Sequence, residues 1–223
     1  MINIAIDGPA GAGKSSVARA VAAKYGYIYV DTGAMYRALA YKAIENGISI
    51  ADVSLVEKML SDTELNISYN ELGQRIILDG TDVSDFIRTA AVSMGASDIS
   101  AIPCVRTWLL DMQKNIARKN DCIMDGRDIG TTILPDADVK IFLTATVEER
   151  ATRRYRELVS KGESVTFEAV IEDVKIRDYN DSHRAVSPLK KAEDAIEVDT
   201  TGMNIEESVE TISRIIDESV KGE

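Results

Sequence analysis

The chain has 223 residues, is 45% hydrophobic and carries a net charge of −11 at pH 7. That length and apolar content suffice for a full core and fit one domain with a small insert. So acidic a chain disfavours wholesale binding to a nucleic-acid polymer, which needs a basic face to neutralise phosphates, and no run of residues approaches a membrane span.

An anionic ligand therefore needs a local concentration of Lys or Arg working against the overall field. The two cysteines, Cys104 and Cys122, match no metal-ligand spacing and sit in apolar surroundings, as buried free thiols of a reducing compartment do. No secretory apolar segment opens the chain, because Asp7 and the glycines after it interrupt one. A soluble cytoplasmic protein is expected, and a monomer, since no exposed apolar stripe stands out.

In chain order, residues 2–6 read as a short apolar strand, and Lys14 to Tyr25 as a helix with Val17, Ala18, Val21 and Ala22 on one face. Residues 27–31 form a second strand ending in Asp31. Thr32 is placed to cap a helix over Gly33 to Glu45 that closes at Asn46-Gly47. A further helix begins at Asp52 or Ser54 and runs to about Ser61. Residues 65–84 then alternate with period two around turn signals at Asn70–Gly73 and Asp79-Gly80, which predicts a small antiparallel meander. Helical patterning returns over 85–119, interrupted near Pro103. Buried strands follow at 121–128 and 139–145, a charged helix at 147–161, a helix from about Thr166 to His183, a strand at 195–200 and a closing helix from Ile205 to Val220. Apolar strands alternating with helices predict an α/β fold: a five-stranded parallel sheet between helical layers, which binds ligands beyond the carboxyl ends of its strands.

Gly8-Pro9-Ala10-Gly11-Ala12-Gly13-Lys14-Ser15, followed by Ser16, fits G-x-x-x-x-G-K-[ST] between a strand and a helix. Glycines let backbone N–H groups curl around phosphate oxygens, and the following helix N-terminus adds its dipole. Lys14 bridges terminal phosphates and the Ser15 hydroxyl holds Mg²⁺ in such loops. The expected ligand of the loop is a nucleoside triphosphate. An Asn-Lys-x-Asp guanine motif is missing, and Cys122-Ile-Met-Asp125 ends in a single Asp followed by Gly rather than the Asp-Glu of mechanical ATPases.

A small-molecule kinase needs several arginines around the transferring phosphoryl group. The chain offers Arg127, then Arg150, Arg153, Arg154 and Arg156, then Arg177 and Arg184. Phosphoryl transfer is accelerated by positioning and by cations on the equatorial oxygens, which arginines of this set can supply. Glu148, Glu149 and Glu157 are close enough in sequence to pair with some of these arginines on a solvated face. Positions 177, 181 and 184 share a helical face, either as an Arg–Asp–Arg ion network or as a carboxylate flanked by cations facing a ligand. Asp7 and Asp125, at strand ends, either hold Mg²⁺ through water or cap backbone N–H groups. His183, the one histidine, reads as a surface residue at a helix end.

Taken together, "IDGPAGAGKS", "DTGAMYRA" (31–38), "IRT" (87–89), "VR" (105–106), "DGRDIGT" (125–131), "PDADVKIFL" (135–143), "ERATRR" (149–154) and "RDYNDSHRAVSPL" (177–189) resemble the bacterial cytidylate kinase (CMP kinase) family over essentially the whole length. The resemblance implies a P-loop nucleoside monophosphate kinase moving the ATP γ-phosphoryl to CMP or dCMP with Mg²⁺. Thr32 and Arg37 then meet the acceptor nucleotide, Arg37 through its phosphate. Ser97, Arg106 and Asp181 match base-reading positions. Asp128 and Asp181 match positions that contact acceptor sugar or base, and Arg127, Arg177 and Arg184 phosphate-facing ones. Arg153 and its neighbours match a mobile lid over 147–165, residues 62–86 match an acceptor-side insert, and Lys14, Arg127, Arg153 and Arg177 are then the expected catalytic side chains. The core is then 1–61, 87–146 and 166–223. The stretch 180–185 departs from the family in being less basic, with Asn180 and Ser182 where further arginines are common. The competing readings are a kinase for another small acceptor and a slow ATP-hydrolysing regulatory module.

Overall fold

A computed structural model describes residues 1–71 and 73–220. The fold is α/β. Its central sheet has five strands, β1 (Asn3–Asp7), β2 (Ile28–Asp31), β6 (Cys122–Gly126), β7 (Val139–Thr144) and β8 (Ile196–Asp199), in the order β2-β6-β1-β7-β8. A separate antiparallel meander is made of β3 (Leu65–Asn70), β4 (Gly73–Leu78) and β5 (Thr81–Asp82). The predicted sheet and meander are both present. The first meander turn includes residue 72, which lies outside the described residues. The chain divides into two compact units, Met1–Ile28 with Asn120–Glu223, and Tyr29–Lys119.

In the first unit, β1 pairs in parallel with β6 on one side and β7 on the other, and β7 pairs in parallel with β8. Ile4, Ala5, Ile6, Ile123, Met124, Ile141 and Leu143 are almost wholly removed from solvent, the apolar run expected of strands covered on both faces. Helix α1 (Lys14–Tyr25) buries the predicted face, Val17, Ala18, Val21 and Ala22, and ends on left-handed Gly26. It packs with α8 (Ile205–Val220), whose Ile212 and Ile216 are buried. Helix α6 (Val147–Ser160) and α7 (Phe167–His183) pack on each other through Ala151, Leu158, Val170 and Val174, with the Tyr155 and Phe167 rings edge to face. Thr146 and Thr166 cap these two helices at their N-termini.

One feature of this unit was not expected from sequence. After β6 the chain makes a short π-helical turn, Ile129–Ile133. The buried carboxylate of Asp7 accepts the N–H groups of Ile129 and Gly130 at 2.8 Å each. Asp7 thus acts as a cap on backbone, one of the two roles its sequence position allowed.

In the second unit, α2 (Thr32–Glu45) buries Ala34, Met35, Ala38, Leu39, Ala40 and Ala43. It packs closely on α4 (Ala90–Ile99), where a Cβ on Gly95 would lie 3.3 Å from that of Ala40. Helix α3 (Val53–Ser61) is capped by Asp52, and α5 (Pro103–Lys119) starts at the proline that was expected to interrupt the helical stretch. Residues 85–89 are turn rather than helix, and Thr89 caps α4. The cap of α2 is Asp31, whose Oδ1 accepts the Ala34 N–H at 2.9 Å, so Thr32 is the first helical residue and not the cap expected from sequence. An aspartate is as good an N-cap as a threonine, and its charge also suits the helix dipole. Of the cysteines, Cys122 is buried and Cys104 only half-buried; both are free thiols.

Candidate functional site

The loop between β1 and α1 is built for close approach of backbone. Gly8 has φ +149°, and a Cβ there would fall 2.0 Å from the Leu143 carbonyl oxygen. Gly11, at φ +77°, presses on the backbone of α6 in the same way. Gly8, Pro9 and Ala12 are buried, while Ala10 is half-buried and Gly11, Ser15 and Ser16 lie open. Helix α1 begins after Gly13, a residue with no side chain to cap it, so its first N–H groups are left to a ligand.

Lys14 is buried, and its ammonium donates to the carbonyls of Gly8 at 2.7 Å and Pro9 at 2.8 Å. Burial first, and then the Arg127 guanidinium, pull its pKa down to about 7 against Asp125, Asp181 and Asp7. Burial pushes Asp7 up to about 6 despite its two backbone donors. The Ser15 hydroxyl donates to Asp125 Oδ2 at 2.7 Å. A hydroxyl and a carboxylate placed side by side at the head of the loop are hard oxygen ligands of the kind Mg²⁺ takes.

Around this loop, in the same unit, the predicted arginines and aspartates pair across elements. Arg127 Nε donates to Asp181 Oδ2 at 2.7 Å, and Arg184 Nη2 lies 3.4 Å from Asp128 Oδ1. Burial raises the Asp181 pKa, but Arg127, helped by Arg184 and Lys14, brings it below the usual carboxylate range. The expected Arg–Asp–Arg row along one helix is not what forms. Helix α7 ends at His183 and Arg184 is its extended C-cap, so the third position has left the helical face. Asp181 instead takes its partner from the loop after β6.

Arg177 differs from the rest of the cluster. It makes no ion pair or hydrogen bond among the described residues. Burial first, and then the Arg154 guanidinium, hold it below the ordinary arginine value, with Asp173 and Asp181 pulling the other way and Arg127 adding to the repulsion.

The α6 arginines are committed elsewhere. Arg153 donates to the carbonyl of Thr200 at 2.7 Å and to its hydroxyl at 3.1 Å, reaches Ala12 O at 3.4 Å, and pairs with Glu149 at 3.0 Å. Arg150 is buried against Asp178 and Ala10. Arg154 pairs with Glu157, as the solvated-face alternative expected. His183 is exposed and stacks on Tyr179 at 4.1 Å, the surface role read from sequence.

The second unit carries its own constellation. Asp31 Oδ2 accepts from Arg37 Nη2 at 2.7 Å, with Arg88 4.0 Å away. Burial raises the Asp31 pKa, but Arg37 and then Arg88 outweigh it and hold the carboxyl low. Arg37 Nε is buried with no hydrogen-bond partner among the described residues. Thr32 is buried beside this pair. Arg106 is buried, donates to Ser100 O at 3.1 Å and lies over the Tyr36 ring at 5.5 Å. Ser97 is half-buried on α4.

Sequence reasoning missed Asp31 as the holder of Arg37, Asp178 as the partner of Arg150, and Thr200, whose hydroxyl reaches Ala12 O at 3.3 Å and Thr144 O at 3.0 Å. Asp31 sits six residues before Arg37 at a helix start, a spacing that reads as a pair once the cap is known. The other two pairings span distant stretches and leave no local signal.

A parallel α/β sheet with a glycine loop ahead of an uncapped helix, a buried lysine in that loop and an unpaired arginine among arginines defines a P-loop phosphotransferase. The family described as Cytidylate kinase matches residues 4–218, and the chain belongs to that family. It is 50% identical to a cytidylate kinase of Carboxydothermus hydrogenoformans over 96% of this chain and 97% of the relative. It is 49% identical to one of Leuconostoc mesenteroides over 97% of each. A solved structure of an uncharacterized protein from Eubacterium ventriosum shares the fold at 13% identity, with a TM-score of 0.54 over 97% of this chain and 99% of that one. Among the described residues no helix is long and apolar enough to cross a membrane.

Proposed function

We propose that the chain transfers the γ-phosphoryl group of ATP to CMP or dCMP, releasing ADP and the pyrimidine nucleoside diphosphate, as a cytoplasmic monomer. The observation that carries this is the uncapped start of α1 behind a glycine loop, with the buried Lys14 ammonium held on the loop carbonyls and Arg127 and Arg177 in the same unit.

The backbone N–H groups of the 8–16 loop, Pro9 having none, cradle the β- and γ-phosphates. Lys14 exchanges the Gly8 and Pro9 carbonyls for γ-phosphate oxygens, which stabilise its charged form. An oxygen of the acceptor phosphate forms a bond to the γ-phosphorus while the bond to the β–γ bridging oxygen breaks, and ADP leaves with that oxygen. Charge spreads over the equatorial oxygens in the transition state, where Arg177, Arg127 and Lys14 act. No general base is needed, because the attacking phosphate is already ionised. Ser15, with Asp125, would hold Mg²⁺, which would offset the charge of the phosphate oxygens. Arg153 acts from the lid segment, 147–165, through its hold on the loop at Thr200.

On the acceptor side, the orphan Nε–H of Arg37 suits the monophosphate, with Thr32 beside it and residues 62–86 as the insert. Asp181 accepts a hydrogen bond from the exocyclic amine of cytosine once it gives up Arg127, and uracil, with an acceptor oxygen there, is disfavoured. Ser97 and Arg106 complete base recognition, Asp128 meets the sugar or base, and Arg184 faces phosphate. A coupled assay of ADP release with CMP, dCMP, UMP and AMP tests the assignment. Turnover that depends on CMP is expected; ADP release indifferent to any acceptor would overturn it.

A further inference from the structure

We propose that Arg150 is a positioning residue that couples the phosphate loop to helix α7, so that filling the loop with the donor triphosphate tightens binding of the acceptor nucleotide. In a loop whose N–H groups converge on an anion, the carbonyls point the other way and need donors of their own. Arg150 supplies one. Its Nη1 donates to Ala10 O at 3.0 Å and to Asp178 Oδ1 at 2.9 Å. Its Nη2 donates to Asp178 Oδ2 at 2.5 Å, and its Nε to Ala145 O at 2.9 Å. One guanidinium, with 5% of its side chain exposed, thus ties the phosphate loop, the end of β7 and the middle of α7 together.

The contact has little slack. A Cβ on Gly11 would lie 3.0 Å from both the Cβ and the carbonyl oxygen of Arg150, so loop and helix touch backbone to backbone. Asp178 directly follows Arg177 and lies one turn before Asp181. A shift of the loop onto a triphosphate therefore reaches the two α7 side chains assigned to transfer and base recognition. The planar fork is required: a lysine reaches one of these acceptors and cannot span them.

The inference rests on the acceptor role proposed for α7. The experiment measures the CMP dissociation constant alone and with saturating adenylyl imidodiphosphate, in the intact chain and in Arg150→Lys, Asp178→Asn and Asp178→Glu, each melted first to confirm folding. The intact chain is expected to bind CMP at least 5-fold tighter with the analogue, within the usual range of site–site coupling. The ratio should collapse towards one in Arg150→Lys and Asp178→Asn and recover in part in Asp178→Glu. Lys175→Ala, exposed on α7, should leave it unchanged. Should Arg150→Lys fail to fold, Asp178→Asn, whose side chain is 26% exposed, carries the test alone. A folded Asp178→Asn with the intact ratio, or no coupling in the intact chain, overturns the proposal. Arg177→Ala and Asp181→Asn run alongside: if neither weakens CMP, it is the acceptor role of α7 that fails.

Discussion

Two arginines in one unit, Arg150 on α6 and Arg177 on α7, carry the same charge and live in opposite surroundings. Arg150 has a carboxylate and two carbonyls; Arg177 feels Arg154 and Arg127 as well as Asp173 and Asp181, but has no hydrogen-bond or ion-pair partner among the described residues. A guanidinium saturated by the protein holds structure. One with no fixed partner is held ready for charge that arrives with a substrate. Residue type and sequence clustering do not separate the two roles; the partners do.

The contrast can be broken most directly by truncation. Arg177→Ala should lower kcat by about 10³, the scale of an arginine acting on a transferring phosphoryl, while its melting temperature holds or rises as like-charge repulsion is relieved. A loss smaller than tenfold in steady-state turnover would put Arg177 outside the transfer step. Lys14→Ala should cost about as much in kcat, with folding intact, since few other groups meet the transition-state charge.

Arg150→Ala should do the reverse in stability. Removing one partner of a buried ion pair costs about 3 kcal/mol or more, read as a drop in the denaturant midpoint. A midpoint unmoved by that change would remove Arg150 from the structural class. Asp181→Asn should narrow the CMP-over-UMP preference by about tenfold to a hundredfold, because a wrongly faced buried polar group costs about 1–3 kcal/mol. The ratio of kcat/KM for the two acceptors measures it, and an unchanged ratio takes Asp181 out of base reading.

The smallest effect sharpens the comparison by pH. Lys14 in the ligand-free fold titrates near 7, through burial and then Arg127. Above that pH it is largely neutral until polyphosphate stabilises its ammonium, so ATP binding at pH 8 should take up a fraction of a proton. Calorimetry in buffers of different ionisation enthalpy reads the uptake, and none across pH 7–9 refutes it. The same depressed pKa means that Lys14 costs the ligand-free fold stability below about pH 7. That cost fades as pH rises towards the ordinary lysine range, since the unfolded chain then binds the extra proton.

Contiguous stretches determined much of this protein. Gly8 to Ser15 between an apolar run and an amphipathic helix is a phosphate loop on inspection, because its chemistry is backbone and local. Period-two alternation over 65–84 located the meander, and Pro103 the break between α4 and α5. What only the tertiary structure decided is which charged groups meet. Asp181 was expected to sit between Arg177 and Arg184 on one helix and is paired with Arg127, 54 residues away. Asp31 rather than Thr32 caps α2, and Arg150 spends its charge on Asp178 and the loop carbonyls. Periodicity reports which face a side chain occupies. Which partner satisfies a buried charge depends on chain segments brought together by the sheet, and that pairing separates a strut from a catalytic cation.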